Sequence, residues 1–445
     1  MLNYIWLGLI LMAVVIGGST DHLKDVADKS FEMAEFAVVK TALPLVGIMA
    51  LWLGMMRLAE RAGLVTLFAG ALRPLLRWLF PDVPPDHPAM GSMVLNIAAG
   101  ILGLGNAATP LGLRAMKDLE SLNPHSGTAT NAMCTFLAIN TSSIQLIPAT
   151  AIAILAANNS SNPTSIVGTS IIATSCAAVS GVAAAKFLQR LPVFRIQFDT
   201  ARGPASQAAA VPAEPAAPQP TGRRTPLGWT GALILMLFTL FFTFVFVRMA
   251  FPSLFGLPAQ PDLIGRNWFV RVINAVSRLS IPFLLSGFPL YAALRRVKIY
   301  EEFVEGAKEG FDVAIRIIPY LVAILVAIGM FRAAGGIDLL GKVLNPVMRA
   351  VGFPPDLLPM VLMRPLSGTG TLGMFAELVK QHGPDALISR IGGTIYGSTE
   401  TTLYVLAVYF GSVGIKRTRY ALLAGLTADF VGVVASVIIC RLMFG

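Results

Sequence analysis

Apolar stretches long enough to cross a membrane alternate along this chain with short polar segments, and the pattern occurs twice. Phe36, Pro44, Gly54, Met55, Arg57 and Ala59 recur in the same order and spacing as Phe311, Pro319, Gly329, Met330, Arg332 and Ala334. Each copy is followed by an amphipathic stretch, a Gly-rich apolar segment, and an apolar segment broken by hydroxyl and amide side chains. A spanning helix needs about 20 apolar residues. The pattern predicts about nine spans, at 2–18, 41–58, 128–157, 164–188, 227–250, 268–294, 313–331, 387–410 and 420–444. Segments 88–119 and 355–379 are apolar but interrupted by Gly, Pro and polar residues. They predict re-entrant hairpins, whose non-helical tips are tolerated only where protein or water covers the backbone.

Helical spacing of apolar residues also predicts an amphipathic helix before each repeated span. Leu23, Val26, Ala27, Phe31 and Ala34 face away from Asp21, Lys24, Asp28, Glu32 and Glu35. Tyr300, Phe303, Val304, Ala307 and Phe311 face away from Glu301, Glu302, Glu305 and Lys308. Helices of this kind lie along a membrane surface. Two more, 64–80 and 337–351, carry Arg73 and Arg77, or Lys342 and Arg349, on otherwise apolar faces. Between the halves, the Ala/Pro-rich stretch 197–226 has nothing to build a core and reads as a flexible linker. It divides the chain into units 1–196 and 227–445.

Composition agrees with a bilayer protein: 55% of residues are hydrophobic and 13% charged, with a mean hydropathy of +0.70, where soluble chains carry about 25% charge. Residues 127–185 include no Asp, Glu, Lys or Arg. A net charge of +10 would suggest nucleic acid on a soluble protein. Here the basic residues cluster in short loops beside apolar segments, so topology explains them and nucleic-acid binding is not expected. Lys186, Arg190, Arg195, Arg202, Arg223 and Arg224 place the linker on the cytoplasmic side. Counting spans from there puts Arg57, Arg61, Arg73 and Arg77 inside, with Arg295, Arg296, Lys298, Lys416, Arg417 and Arg419. The first amphipathic helix falls outside and the second inside. Arg332, Lys342 and Arg349 fall outside, against the rule. An odd number of spans separates equivalent points, so the halves are predicted to be inverted repeats.

Cys134, Cys176 and Cys440 are far apart in apolar surroundings and read as buried thiols, and the four His residues do not cluster, so no metal site is indicated. The N-terminal apolar stretch lacks a basic leader and reads as an uncleaved span. No motif supports an enzyme. Candidate chemistry lies at the polar breaks. The first hairpin carries Asn96, Gly100, Gly103, Gly105, Asn106 and Thr109, and the second Arg364, Ser367, Thr369 and Thr371. Unwound backbone there offers free N–H and C=O groups. Alternatively, the glycines allow close packing and the hydroxyls bond back to their own helices. The broken spans carry Asn140, Thr141, Ser142, Ser143 and Gln145, and Ser398, Thr399, Glu400 and Thr401. Four adjacent polar residues cannot share one helix face, because neighbours differ by about 100°. Some must meet other polar groups, a cavity or a local break. Glu400 is an acid at membrane depth, where a functional role with a named partner is the default reading. Arg364 is that partner, and a structural ion pair is the alternative. Asp429 is a second buried acid.

The segments LNIAAGILGLGNAATPLGLRAM and INTSSIQLIP resemble spore maturation protein A, and LMRPLSGTGTLG and YGSTETT resemble spore maturation protein B. The chain thus resembles a fusion of the two, a family with two copies of the nucleoside-recognition or gate domain. A similar domain occurs in concentrative nucleoside transporters and ferrous-iron transporters. The resemblance implies an all-α integral protein of the bacterial inner membrane, with two inverted repeats and a link to the cell envelope. The expected function is a transporter for a small polar, anionic or envelope-related solute, bound by the polar residues named above. No cofactor is expected beyond a coupling H⁺ or Na⁺, with Glu400 the group to titrate. The expected partners are the lipid bilayer, the solute and, in a homo-oligomer, further copies of the chain. The alternative is a non-transporting scaffold or receptor for envelope or peptidoglycan maturation.

Overall fold

The computed structural model describes residues 2–103, 105–194, 228–258, 265, 267–336, 339 and 352–445. Linker 197–226, Lys342 and Arg349 lie outside the described residues. The described residues form helices and no strand. In chain order the helices are α1 (Leu2–Ser19), α2 (Leu23–Glu35), α3 (Leu43–Arg61), α4 (Leu64–Leu79), α5 (Pro88–Ile101), α6 (Gly105–Glu120), α7 (Asn131–Thr141), α8 (Ala149–Ala157) and α9 (Ile166–Leu188). The second half continues with α10 (Trp229–Ala250), α11 (Trp268–Leu294), α12 (Ile299–Ala333), α13 (Leu358–Met363), α14 (Gly368–His382), α15 (Leu387–Ser398), α16 (Thr402–Ser412) and α17 (Ala421–Phe444).

Among the described residues, five helices are long and apolar enough to cross a membrane: Leu23–Arg61, Pro163–Leu188, Trp229–Ala250, Trp268–Leu294 and Ala421–Phe444. Of the other expected spans, 2–18 is α1 and 313–331 lies within α12, while 128–157 and 387–410 are each split into two half-helices. The chain is a multi-pass membrane protein. Its thiols differ from the sequence expectation at one position: Cys134 and Cys440 are buried, but Cys176 is exposed on α9.

The amphipathic helices correct a second expectation. They do not form separate surface helices. A π-helical stretch, Phe36–Ala42, joins α2 to α3, so Leu23–Arg61 is one helix of 39 residues. The second amphipathic stretch is simply the start of the 35-residue α12. At 1.5 Å per residue the longer helix measures about 58 Å, nearly twice a hydrocarbon core of about 30 Å. Pro44 lies inside this continuous helix, directly after the π-helical stretch; its missing N–H interrupts the α-helical ladder there without ending the helix.

These two long helices cross antiparallel. A Cβ on Gly54 would lie 2.7 Å from the Phe303 ring, one on Gly310 would lie 2.5 Å from the Cα of Ala50, and one on Gly329 would lie 2.4 Å from the Cγ of Met33. Contact positions therefore rise along α12 as they fall along α3 and α2. Gly54 and Gly329, equivalent in the two repeats, each receive a side chain from the other half. Arg57 holds Glu302 at 2.9 Å and Glu309 at 2.6 Å, and Arg61 reaches Glu302 at 3.1 Å. The acidic face of the second amphipathic stretch thus meets the basic end of α3.

Candidate functional site

Both polar runs in the broken spans interrupt their helices. α7 ends at Thr141, and Ser143 then turns through a left-handed backbone (φ 42°) before α8 starts at Ala149. α15 ends at Ser398, Thr399 is fully extended (φ −141°, ψ 166°), and α16 starts at Thr402. The two broken helices run antiparallel with their breaks at one level. Ala129 N–H bonds the Arg417 carbonyl at 3.0 Å at one end, and the Ser160 hydroxyl bonds Asp385 at 2.7 Å at the other. At the centre, Glu400 N–H donates to the Thr141 carbonyl at 2.8 Å. The Thr174 hydroxyl on α9 bonds the carbonyls of Ser142 and Ser143, freed by the break, at 2.8 and 2.9 Å.

Arg364, just past α13 at the second hairpin tip, is 4% exposed and spends its donors on this break. Nη2 donates to the Tyr396 carbonyl at 3.0 Å, to the Thr399 carbonyl, and to Glu400 Oε2 at 3.4 Å. Nε faces Thr399 Oγ1 at 3.3 Å, and the guanidinium stacks 4.8 Å over the Tyr396 ring. The expected Arg364–Glu400 pair is therefore present, but most of the arginine's bonds hold backbone. The Glu400 side chain remains 40% exposed.

That exposed carboxylate looks into two cavities. The first, of about 150 Å³, is lined by Asn96, Thr109, Asn140, Ser143, Gln145, Glu400 and Thr401, together with Tyr404 and Tyr409. The second, of about 200 Å³, is lined by Trp52, Gln145, Pro148, Thr150, Arg364, Tyr396 and Glu400. Gly103, Gln145 and Glu400 border both, so these three residues form the wall between them. Asn96 Nδ2 bonds the Ala108 carbonyl across the first hairpin at 2.8 Å and lies 3.5 Å from the Tyr409 hydroxyl, which lies 3.5 Å from Asn140 Oδ1. Asn96 Oδ1 is buried without a partner among the described residues.

Of the remaining expected residues, those with described side chains line neither cavity. Thr141 and Ser142 hydroxyls bond back to Ala138 and Ile139 carbonyls. Ser367 caps α14 by accepting from Gly370 N–H, Thr369 sits beside it, and Thr371 returns its hydroxyl to the Ser367 carbonyl. Ser398 bonds Ile395 and Ser436, and Thr399 serves Arg364. The side chain of Asn106 lies outside the described residues. Sequence reasoning missed Trp52, Tyr396, Tyr404 and Tyr409, because an aromatic in an apolar span reads as packing.

Four helix ends converge at this level. The second cavity has the N-terminal residues of α8, Ala149 and Thr150, in its lining along with Arg364, a combination that favours an anionic group. The first has Asn140 near the C-terminal end of α7, plus amides and hydroxyls suited to polar atoms.

A family model described as Gate, nucleoside recognition, matches residues 42–158 and 314–416. Over 176 residues the chain is 49% identical to spore maturation protein B of Bacillus subtilis (strain 168), which covers 40% of this chain and 99% of that protein. Over 184 residues it is 45% identical to spore maturation protein A of the same organism, covering 41% of this chain and 92% of that protein. A third likeness, 30% over 84 residues, is to the inner membrane protein YjiG of Escherichia coli (strain K12), covering 19% of this chain and 55% of that protein. No solved structure matches the chain.

Proposed function

The chain belongs to the spore maturation protein A/B family, with the Gate nucleoside-recognition model matching in both halves, and from that premise we propose that it is an inner-membrane transporter. The cargo is a small polar, anionic or envelope-related solute, bound where the two broken helices cross. The halves are inverted repeats, 1–196 and 227–445, joined by a cytoplasmic linker. One observation carries the reading: two cavities at the crossing share a wall of Gly103, Gln145 and Glu400. Broken helices meeting at a repeat interface, with a polar cavity on each side of a thin wall, suit a site opened to one face at a time. Each cavity is smaller than the roughly 300–1,000 Å³ that encloses a drug-sized ligand, which favours a small solute.

The inverted arrangement draws support from the polar contacts. Arg57 and Arg61 meet Glu302, both expected inside, while Lys380 meets Glu32 at 2.6 Å, both expected outside. The antiparallel pairing of the broken helices points the same way. The α8 N-terminus would take a negative group of the solute, with the positive charge of Arg364, itself bonded to the break, beside it. Asn96, Asn140, Gln145 and Thr401 would take its neutral polar atoms.

The second reading, a non-transporting scaffold or receptor for envelope maturation, is favoured by the hydroxyls of Thr141, Ser142, Thr371 and Ser398, all satisfied by their own helices. Thiol labelling of Gln145→Cys in oriented vesicles separates the two. Transport expects an impermeant reagent to reach this wall position from both faces of the membrane. A thiol that resists labelling from both faces overturns transport and leaves the scaffold.

A further inference from the structure

Asp429 is a buried acid that no ion pair explains. It lies mid-way along α17, is 6% exposed, and has no cation within 4 Å among the described residues. The Thr402 hydroxyl donates to its Oδ2 at 2.6 Å. Its Oδ1 has no hydrogen-bond partner among the described residues.

The surroundings aim this carboxylate at the second helix break. Gly425 and Gly432 flank Asp429 by four and three residues, and so share its face of α17. A Cβ on Gly425 would lie 2.7 Å from Thr402 Cγ2 and 3.3 Å from Thr141 Oγ1, and one on Gly432 would lie 2.6 Å from Thr399 Cγ2. The two glycines let the break press against α17, and Asp429 stands between them facing hydroxyl groups.

An unpaired carboxylate in such a place costs several kcal/mol unless something neutralises it. Helices α7, α9, α15 and α16 pack against α17. The charged groups that act on Asp429 are Arg364 and Glu400 in and beside the break. Arg364 is already spent on two carbonyls, a hydroxyl and Glu400. The other titratable groups of these elements are engaged elsewhere: Lys186 on α9 bonds the Leu79 carbonyl, Arg390 on α15 holds Asp385, and Cys440 on α17 lies against Thr394. Of the rest, Arg441 on α17 bonds the Gly352 carbonyl, Tyr396 on α15 lies under the Arg364 guanidinium, Cys134 on α7 faces the Thr418 carbonyl, Cys176 on α9 is exposed, and Tyr404 and Tyr409 on α16 line the first cavity.

We propose that the Asp429 carboxylate and the Thr402 hydroxyl form a binding site for a small monovalent cation, a proton or a sodium ion. A single carboxylate among neutral oxygens matches one positive charge, whereas divalent ions gather several carboxylates. Thr402 is two residues from Glu400, so occupancy of Asp429 is felt at the wall between the cavities. The site itself does not depend on the transport reading, and its test needs no solute.

The test is thermal unfolding of the purified full-length protein in detergent, in choline buffer with added NaCl or KCl, from pH 5 to 9. Wild type is expected to be stabilised by several degrees, either by Na⁺ over K⁺ or, without Na⁺, by acidic pH. The first outcome identifies sodium and the second a proton. Asp429→Asn, which mimics the neutralised carboxyl, loses that response, and Glu400→Gln keeps it. Thr402→Val removes an oxygen ligand and weakens Na⁺ affinity about tenfold, or, where a proton binds, removes a donor to the ionised carboxylate and moves the acid response to higher pH; it serves if Asp429→Asn does not fold. A wild type indifferent to both ions, or a response unchanged in Asp429→Asn and Thr402→Val, overturns the proposal.

Discussion

The backbone N–H of Glu400 bonds the carbonyl of Thr141 at 2.8 Å, joining the two helix breaks at their centres. Each break frees backbone groups that its own helix no longer satisfies, and this bond lets one break satisfy the other. The acidic side chain is thereby fixed at the wall between the cavities by main chain, while its carboxylate stays partly exposed.

Arg364 and Glu400 should separate stability from function. Arg364→Ala strips donors from the carbonyls of Tyr396 and Thr399 and is expected to cost about 3–5 kcal/mol. Glu400→Gln keeps an acceptor at an exposed position and should cost under about 1 kcal/mol, yet abolish solute uptake. Unfolding curves in detergent beside proteoliposome uptake check this. Wild-type uptake in Glu400→Gln would remove the residue from the site.

Gly112 makes room for Tyr409. A Cβ there would lie 2.3 Å from the Tyr409 hydroxyl and 2.9 Å from Asn96 Nδ2. Gly112→Ala should push the ring out and cost about 1–3 kcal/mol. Tyr409→Leu in the same chain should recover part of that loss, and a double-mutant cycle measures the coupling.

The antiparallel crossing rests on backbone approach at Gly310. A methyl group there meets the Ala50 backbone, which cannot rotate away. Gly310→Ala is expected to lower stability by about 1–3 kcal/mol. Gly47→Ala, where a Cβ meets nothing within 4 Å, should be neutral or stabilising by up to about 1 kcal/mol. Melting temperatures of the two variants compare them directly.

Asp385 gives a pH signature outside the spans. Partial burial would raise its pKa, but the Ser161 backbone N–H, the Ser160 hydroxyl and Arg390 outweigh that and hold it at about 2. An unfolded carboxyl titrates near about 3.9. The stabilisation is therefore complete above about pH 4 and lost as pH falls through about 2. Asp385→Asn should flatten this acid limb of the stability curve, and a limb of unchanged slope would show that the contact contributes nothing.

Much of this architecture was legible in the residues. The breaks at Ser142–Ser143 and Thr399–Thr401 follow from polar runs that no single helix face can hold, and the Arg364–Glu400 pair from the cost of a lone acid in lipid. The aromatic share of the site was hidden: Tyr396 and Tyr409 have the spacing of core residues, and only the fold shows the face of one and the hydroxyl of the other turned to polar groups. The amphipathic stretches misled for a related reason. Their apolar faces fit a membrane surface equally well, and what covers part of them, such as Gly54 against Phe303, comes from the far half of the chain. Thr141, Ser142, Ser367, Thr371 and Ser398 cap or bond back to their own helices, a local alternative that composition cannot distinguish from a cavity wall.

The wall between the cavities takes Gly103 and Gln145 from one half and Glu400 from the other. Neither half could therefore form this wall alone, and a cell making them separately would have to match their supply. One reading frame removes that problem. It delivers the halves in equal dose, at the same moment and already within reach of each other, so every copy made holds both sides of its own partition.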